Sequence, residues 1–62
     1  VLRKRTKNYS QATADLNRAI MYAPDDAQMY VERGRVRAAQ KKVEAAMKDF
    51  AIALQLDETV KL

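Results

Sequence analysis

The chain has 62 residues, 48% of them hydrophobic, with a formal net charge of +4 and no cysteine or histidine. A chain of this length forms one small domain at most and buries only about 60% of the surface that its unfolded form exposes. Without Cys and His it has no disulfide and no Cys/His zinc site to supplement a small core.

The positive charge lies in the first third of the chain. Residues 1–24 carry five basic groups and one acid, whereas residues 25–62 carry seven of each. Much of the excess comes from the run Arg3-Lys4-Arg5-Thr6-Lys7. The sequence has no apolar run near the length of a transmembrane helix, so we expect no contact with a membrane.

A single Gly and a single Pro, in a sequence rich in Ala, Leu, Lys and Arg, predict an all-α fold. Asn8, followed by Gln11, predicts the start of the first full helix. Pro24 predicts its end, because the proline ring disfavours helical geometry at Ala23. The helix between them shows one apolar face, made by Tyr9, Ala12, Thr13, Leu16, Ala19 and Ile20.

The second helix is predicted from about Ala27 to Gln40, capped by Asp25 with Gln28 as the other half of a capping box. Lys41-Lys42 is predicted to form a tight turn after it. Gly34, inside this helix, costs about 1 kcal/mol relative to Ala. We therefore expect another helix to approach the backbone at Gly34, with Tyr30 filling the space one turn earlier.

The third helix repeats the pattern of the first, 34 residues later. Its apolar face is formed by Val43, Ala46, Met47, Phe50, Ala53 and Leu54. Because all connections are short, neighbouring helices should pack antiparallel. With Glu58 in place of a stop signal, the last helix is expected to run on through Val60 to Leu62.

A 34-residue helix-turn-helix period resembles the tetratricopeptide repeat (TPR) family. Arg33-Gly34, followed by Ala46, Asp49-Phe50 and Ala53, is similar to a common variety of this repeat. The matching core positions are Tyr9, Ala12, Leu16, Ala19, Pro24, Tyr30, Gly34, Ala46, Phe50 and Ala53. The sequence departs from the family's pattern at Arg37, where an aromatic is common, and we expect its stem to cross the core with its head in water.

The resemblance implies antiparallel hairpins of a right-handed α-solenoid in a single segment, residues 1–62. Residues 1–24 would be the end of one repeat, 25–58 a complete repeat, and 59–62 the start of another or a helix extension. This is an incomplete slice of an array, so we expect apolar flanks open to solvent and self-association through them. Met21 and Tyr22 are expected to pack in the core.

In this family the first helix of each hairpin forms a concave binding surface. Carried over to this sequence, the surface consists of Lys4, Arg5, Gln28, Val31, Arg35 and Ala38. Arginine pairs well with carboxylates, so the expected function is a protein-interaction scaffold that binds an extended, acidic peptide. The alternative is that these are ordinary solvated helix positions and that the segment only extends or assembles a longer array.

Two further functions agree less well with the sequence. The basic run 3–7 offers a nucleic-acid contact, but a solvated helix end accounts for it better, because basic groups complement the helix dipole. For an enzyme, Ser10 has no histidine to activate it, and capping accounts for Asp25-Asp26. We therefore expect no catalysis, no cofactor and no metal, in an intracellular, cytoplasmic chain.

Overall fold

The computed structural model describes residues 8–62, which form three α-helices. They are α1 (Tyr9–Tyr22), α2 (Ala27–Ala39) and α3 (Val43–Leu56). No strand occurs within residues 8–62, so the all-α prediction is confirmed. None of the three helices is both long and apolar enough to cross a membrane.

The starts of α1 and α2 are fixed by side-chain caps. The Asn8 side chain accepts a hydrogen bond from the N–H of Gln11, as predicted. The cap of α2 is Asp26 and not Asp25; its carboxylate accepts from the N–H of Gln28 at 3.1 Å. The prediction of Asp25 was wrong because the N–H of Asp26 bonds to the carbonyl of Ala23, which places Asp25 inside the turn that follows Pro24.

The turn from α2 to α3 forms at Lys41-Lys42, as predicted. The N–H of Lys42 bonds to the carbonyl of Arg37, and the N–H of Lys41 bonds to that of Ala38. These two bonds make a Schellman motif, which places Lys41 in the left-handed region with φ 66°. Glycine is the usual residue at this position, so Lys41 carries backbone strain.

The end of α3 differs from the prediction that the helix would run on to Leu62. It ends at Leu56, and Asp57 adopts an extended conformation. The backbone N–H and the hydroxyl of Thr59 both donate to Oδ1 of Asp57. Because this local turn satisfies backbone groups that the helix would otherwise use, it ends the helix without a proline.

The middle helix, α2, packs against both α1 and α3 in antiparallel hairpins. Its Arg33 reaches Asn17 of α1 on one side and Asp49 of α3 on the other. The apolar core lies mainly between α2 and α3; it consists of the buried Ala27, Val31 and Ala53, with Tyr30, Phe50 and Val60 packed against them.

Gly34 lies where α3 approaches α2 most closely, as its place in the sequence predicted. A Cβ added there would lie 2.6 Å from Cε1 of Phe50 and 2.9 Å from Cδ1. Glycine is therefore required for the packing of the Phe50 ring. The close approach that the sequence predicted is confirmed.

The 34-residue period is present in the backbone as well as in the sequence. Both bounds of α3 lie 34 residues after those of α1. The hydrogen bond from the N–H of Ala23 to the carbonyl of Ala19 recurs between Asp57 and Ala53, each at 2.9 Å. The helical period is thus a property of the structure, whereas the right-handed solenoid and the division into units at residues 24 and 58 stay predictions.

Candidate functional site

A buried ionic cluster joins the three helices at the middle of the molecule. Asp49 of α3 is only 1% exposed. Arg33 binds it through two donors, with Nη2 2.8 Å from Oδ1 and Nε 3.1 Å from Oδ2. Arg37 adds a third bond, from Nη1 to Oδ2 at 3.1 Å. The head of Arg37 is therefore held by a carboxylate, which corrects the expectation that it would lie in water.

Arg33 makes two further contacts that fix its orientation. Its Nη1 donates to Oδ1 of Asn17 at 2.8 Å. Its guanidinium carbon lies 5.3 Å from the centre of the Tyr30 ring, within cation–π distance. All the polar atoms of this cluster point at one another, so its role is to hold α1, α2 and α3 in register. The sequence signal for it was an acid at Asp49, inside the stripe formed by Ala46, Phe50 and Ala53.

The six residues predicted for peptide binding do not form one exposed surface. Gln28, Arg35 and Ala38 lie exposed on α2. Val31, however, is 0% exposed and belongs to the core, so its predicted role in contacting a ligand is not supported by this structure. Lys4 and Arg5 lie outside the described residues, as does the basic run 3–7 with its predicted nucleic-acid contact.

The segment formed by residues 57–62 lies against this face of α2. Val60 packs on the core cluster that contains Val31. Nη2 of Arg35 donates to the main-chain oxygen of Leu62 at 2.8 Å. Farther along α2, the Gln28 side chain bonds to Glu32. Among the described residues of the predicted groove, Arg35 is thus the one cation, and it is already bonded to a stretch of extended chain.

The largest exposed apolar side chains on one helical stripe are Val43, Met47 and Leu54, here called the outer face of α3. Met47 is 63% exposed. The counterparts 34 residues earlier, Tyr9, Thr13 and Ile20, are only half-exposed in the α1–α2 hairpin. The apolar stripe of α3 is wider than α2 can cover, which leaves one flank open as predicted.

The end of α1 departs from prediction. Met21 is 79% exposed and Tyr22 is 83% exposed, so neither belongs to the core. The prediction assumed that the following hairpin would cover the end of α1. In the structure α2 starts beyond a four-residue turn and runs back along the other side of α1.

Residues 8–62 contain no group of three or more Asp and Glu side chains that could hold a metal ion. Ser10 is exposed at the start of α1. No family model matches this chain, and no curated protein and no solved structure is significantly similar to it. The resemblance to TPR repeats therefore rests on the residue pattern, and the 34-residue offset of α1 and α3 is the structural observation that accompanies it.

Proposed function

We propose that this chain is a non-enzymatic helical scaffold that binds another helix on the outer face of α3. The observation that carries the proposal is the exposure of Val43, Met47 and Leu54, whose counterparts on α1 are half-covered. The setting that we propose is intracellular and cytoplasmic.

The partner's shape follows from the spacing of these three residues. Positions i, i+4 and i+11 form one stripe along a helix, which complements the apolar face of a second helix. Because α1 and α3 are equivalent in the repeat, the helix that fits α3 is one that resembles α2. In a solution of this chain alone, a second copy can supply it.

The energetic argument favours occupation of this face. Burial of apolar surface contributes about 25 cal/mol per Å², and the chain has little other core to stabilise it. A partner on the outer face of α3 would enlarge the core where it is thinnest. Self-association and stability should therefore rise together with protein concentration.

Sedimentation velocity across a concentration series tests the proposal. We expect the wild-type chain to associate reversibly and Met47→Glu to remain monomeric, because the new carboxylate would be buried in the contact. Met21→Glu is the matched control, since it makes the same change at an exposed methionine of α1. A wild-type chain that is strictly monomeric at high concentration, or an equal effect of both variants, would refute the proposal.

A second candidate is the binding of an extended acidic peptide on α2. It is supported by Arg35, whose exposed guanidinium bonds to the main-chain oxygen of Leu62 in an extended stretch of chain. A bound peptide would take the place of this segment and offer a carboxylate to the same guanidinium.

Titration of acidic peptides against wild type and Arg35→Glu tests this second candidate. We expect Arg35→Glu to abolish binding, whereas Lys48→Glu, an equal charge change at an exposed position of α3, should reduce it only slightly. If no peptide binds wild type, or if both variants bind like wild type, the assignment of Arg35 is wrong.

A further inference from the structure

A polar cavity of about 300 Å³ lies between the first half of α1 and the end of α2. It is separate from both surfaces considered above. Apart from Ala14, its lining is polar and contains no acid: Ser10, Thr13, Asn17, Arg37, Gln40 and Lys42. Two hydroxyls, two amides and two cations facing one space make a lining that suits an anion.

The hydroxyl of Thr13 is the most informative of these groups. Its oxygen is buried and has no hydrogen-bond partner among residues 8–62. Buried polar atoms are nearly always bonded, and a helical threonine usually bonds to the carbonyl four residues before it. A Thr13 hydroxyl that makes no such bond within this lining is free to donate to a ligand.

The charge around the cavity has the same sign throughout. Arg33 and Arg37 share the single carboxylate of Asp49, which leaves one positive charge uncompensated. Of the guanidinium donors of Arg37, Nη1 is the one that bonds to a described residue. Its other donors are therefore available on the side of the cavity.

Lys42 adds a second charge and a favourable position. It is the N-cap of α3, where no side chain caps the first turn of the helix. Free N–H groups and the positive end of the helix dipole lie at this end of α3. The acids nearest in the sequence, Asp15 and Glu44, are exposed and do not line the cavity.

From this arrangement we infer that the cavity is a binding site for a phosphate group. Three observations on independent residues support it: the unpaired Thr13 hydroxyl, the surplus charge of Arg37, and Lys42 at the uncapped start of α3. A phosphate has oxygens enough to accept from all three at once. The group could arrive as free phosphate or as a phosphate monoester.

The experiment is an NMR titration of the folded chain with inorganic phosphate and, separately, with O-phosphoserine, against sodium chloride at equal ionic strength. We expect saturable amide shifts at Thr13 and Lys42. Stronger binding of phosphate would identify the free ion as the ligand, and stronger binding of phosphoserine the monoester. Absence of a saturable shift with either compound would overturn the proposal.

Two variants and one control separate the site from general charge. Thr13→Val and Lys42→Gln should each weaken binding roughly tenfold, while circular dichroism verifies that they stay folded. Lys41→Gln removes the same charge one residue away and outside the cavity lining, so it should bind almost like wild type. Equal weakening by all three variants would show that only overall charge matters and would refute the site.

Discussion

At the scale of single residues, Asp49 is the most consequential position in the molecule. A carboxylate in an apolar stripe is costly to bury unless it is fully bonded, and here three charge-assisted hydrogen bonds compensate it. Its two arginines keep part of their surface in water, which lowers their own desolvation cost. The cluster thus fixes how the helices align more than it adds net stability.

Replacing Asp49 by Ala should lower the free energy of unfolding by about 2–3 kcal/mol, because it leaves two arginines without their shared partner. Urea unfolding followed by circular dichroism measures this loss. Asp15→Ala is the control at the equivalent position of the preceding unit, where the side chain is exposed; it should change stability by about 0.5 kcal/mol or less. Equal effects would contradict the role assigned to the buried cluster.

Thr59 lowers the pKa of the Asp57 carboxyl below its ordinary value of 3.8, first through its hydroxyl and then through its backbone N–H. Since the folded-state pKa is depressed, this turn contributes stability above about pH 3.8 that is lost as the pH falls through the folded-state pKa. Thr59→Val should raise the pKa of Asp57 towards 3.8, and Thr59→Ser should leave it low. Carbon NMR of the carboxyl group measures both, and an unchanged pKa in Thr59→Val would contradict the assigned cause.

At the scale of elements, helix ends are decided by single hydrogen bonds. Asp26→Ala should cost about 1 kcal/mol, because it removes the acceptor for the N–H of Gln28. Asp25→Ala, one residue earlier, should be nearly neutral. Thermal melts of the two variants test the assignment of the cap, and the reverse order of stability would restore Asp25 as the capping residue.

The contact between α2 and α3 depends on the missing side chain of Gly34. Gly34→Ala gains helix propensity but drives a Cβ into the Phe50 ring, so we expect a net loss of about 1 kcal/mol. In Phe50→Leu, which lacks the ring, the same substitution should be neutral or stabilising. A double-mutant cycle by urea unfolding measures this coupling, and additive effects would show that the two residues do not limit each other.

At the scale of the whole molecule, two helical hairpins share one helix and leave a thin core. The 57–62 segment contributes to that core through Val60, although it is not helical. It also covers Val31, which would otherwise be open on the face of α2. The segment therefore stabilises the fold and restricts access to the predicted groove.

Val60→Ala should lower stability by about 1 kcal/mol through lost packing on the core. Lys61→Ala, at an exposed neighbour, is the control and should have little effect. Urea unfolding measures the difference. If Val60→Ala were as neutral as Lys61→Ala, the segment would not be part of the core in solution.

The sequence by itself determined the fold class, the three helices to within a residue or two at most ends, and the 34-residue period. These properties depend on residues within one helical turn of each other: the apolar spacing, the Asn8 cap, Pro24 and the Lys41-Lys42 turn. The close approach at Gly34 was also predictable, because glycine inside a helix is costly unless a neighbouring helix needs the space that a side chain would occupy.

Only the tertiary structure decided which part of each apolar stripe is buried. Met47 and Ala46 are adjacent and both apolar, yet one faces water and the other faces α2. The burial of Val31, the pairing of Asp49 with Arg33 and Arg37, and the fold-back of residues 57–62 likewise depend on contacts between segments far apart in the chain. Local periodicity shows that a face is apolar, but the number and position of neighbouring helices decide how much of it is covered.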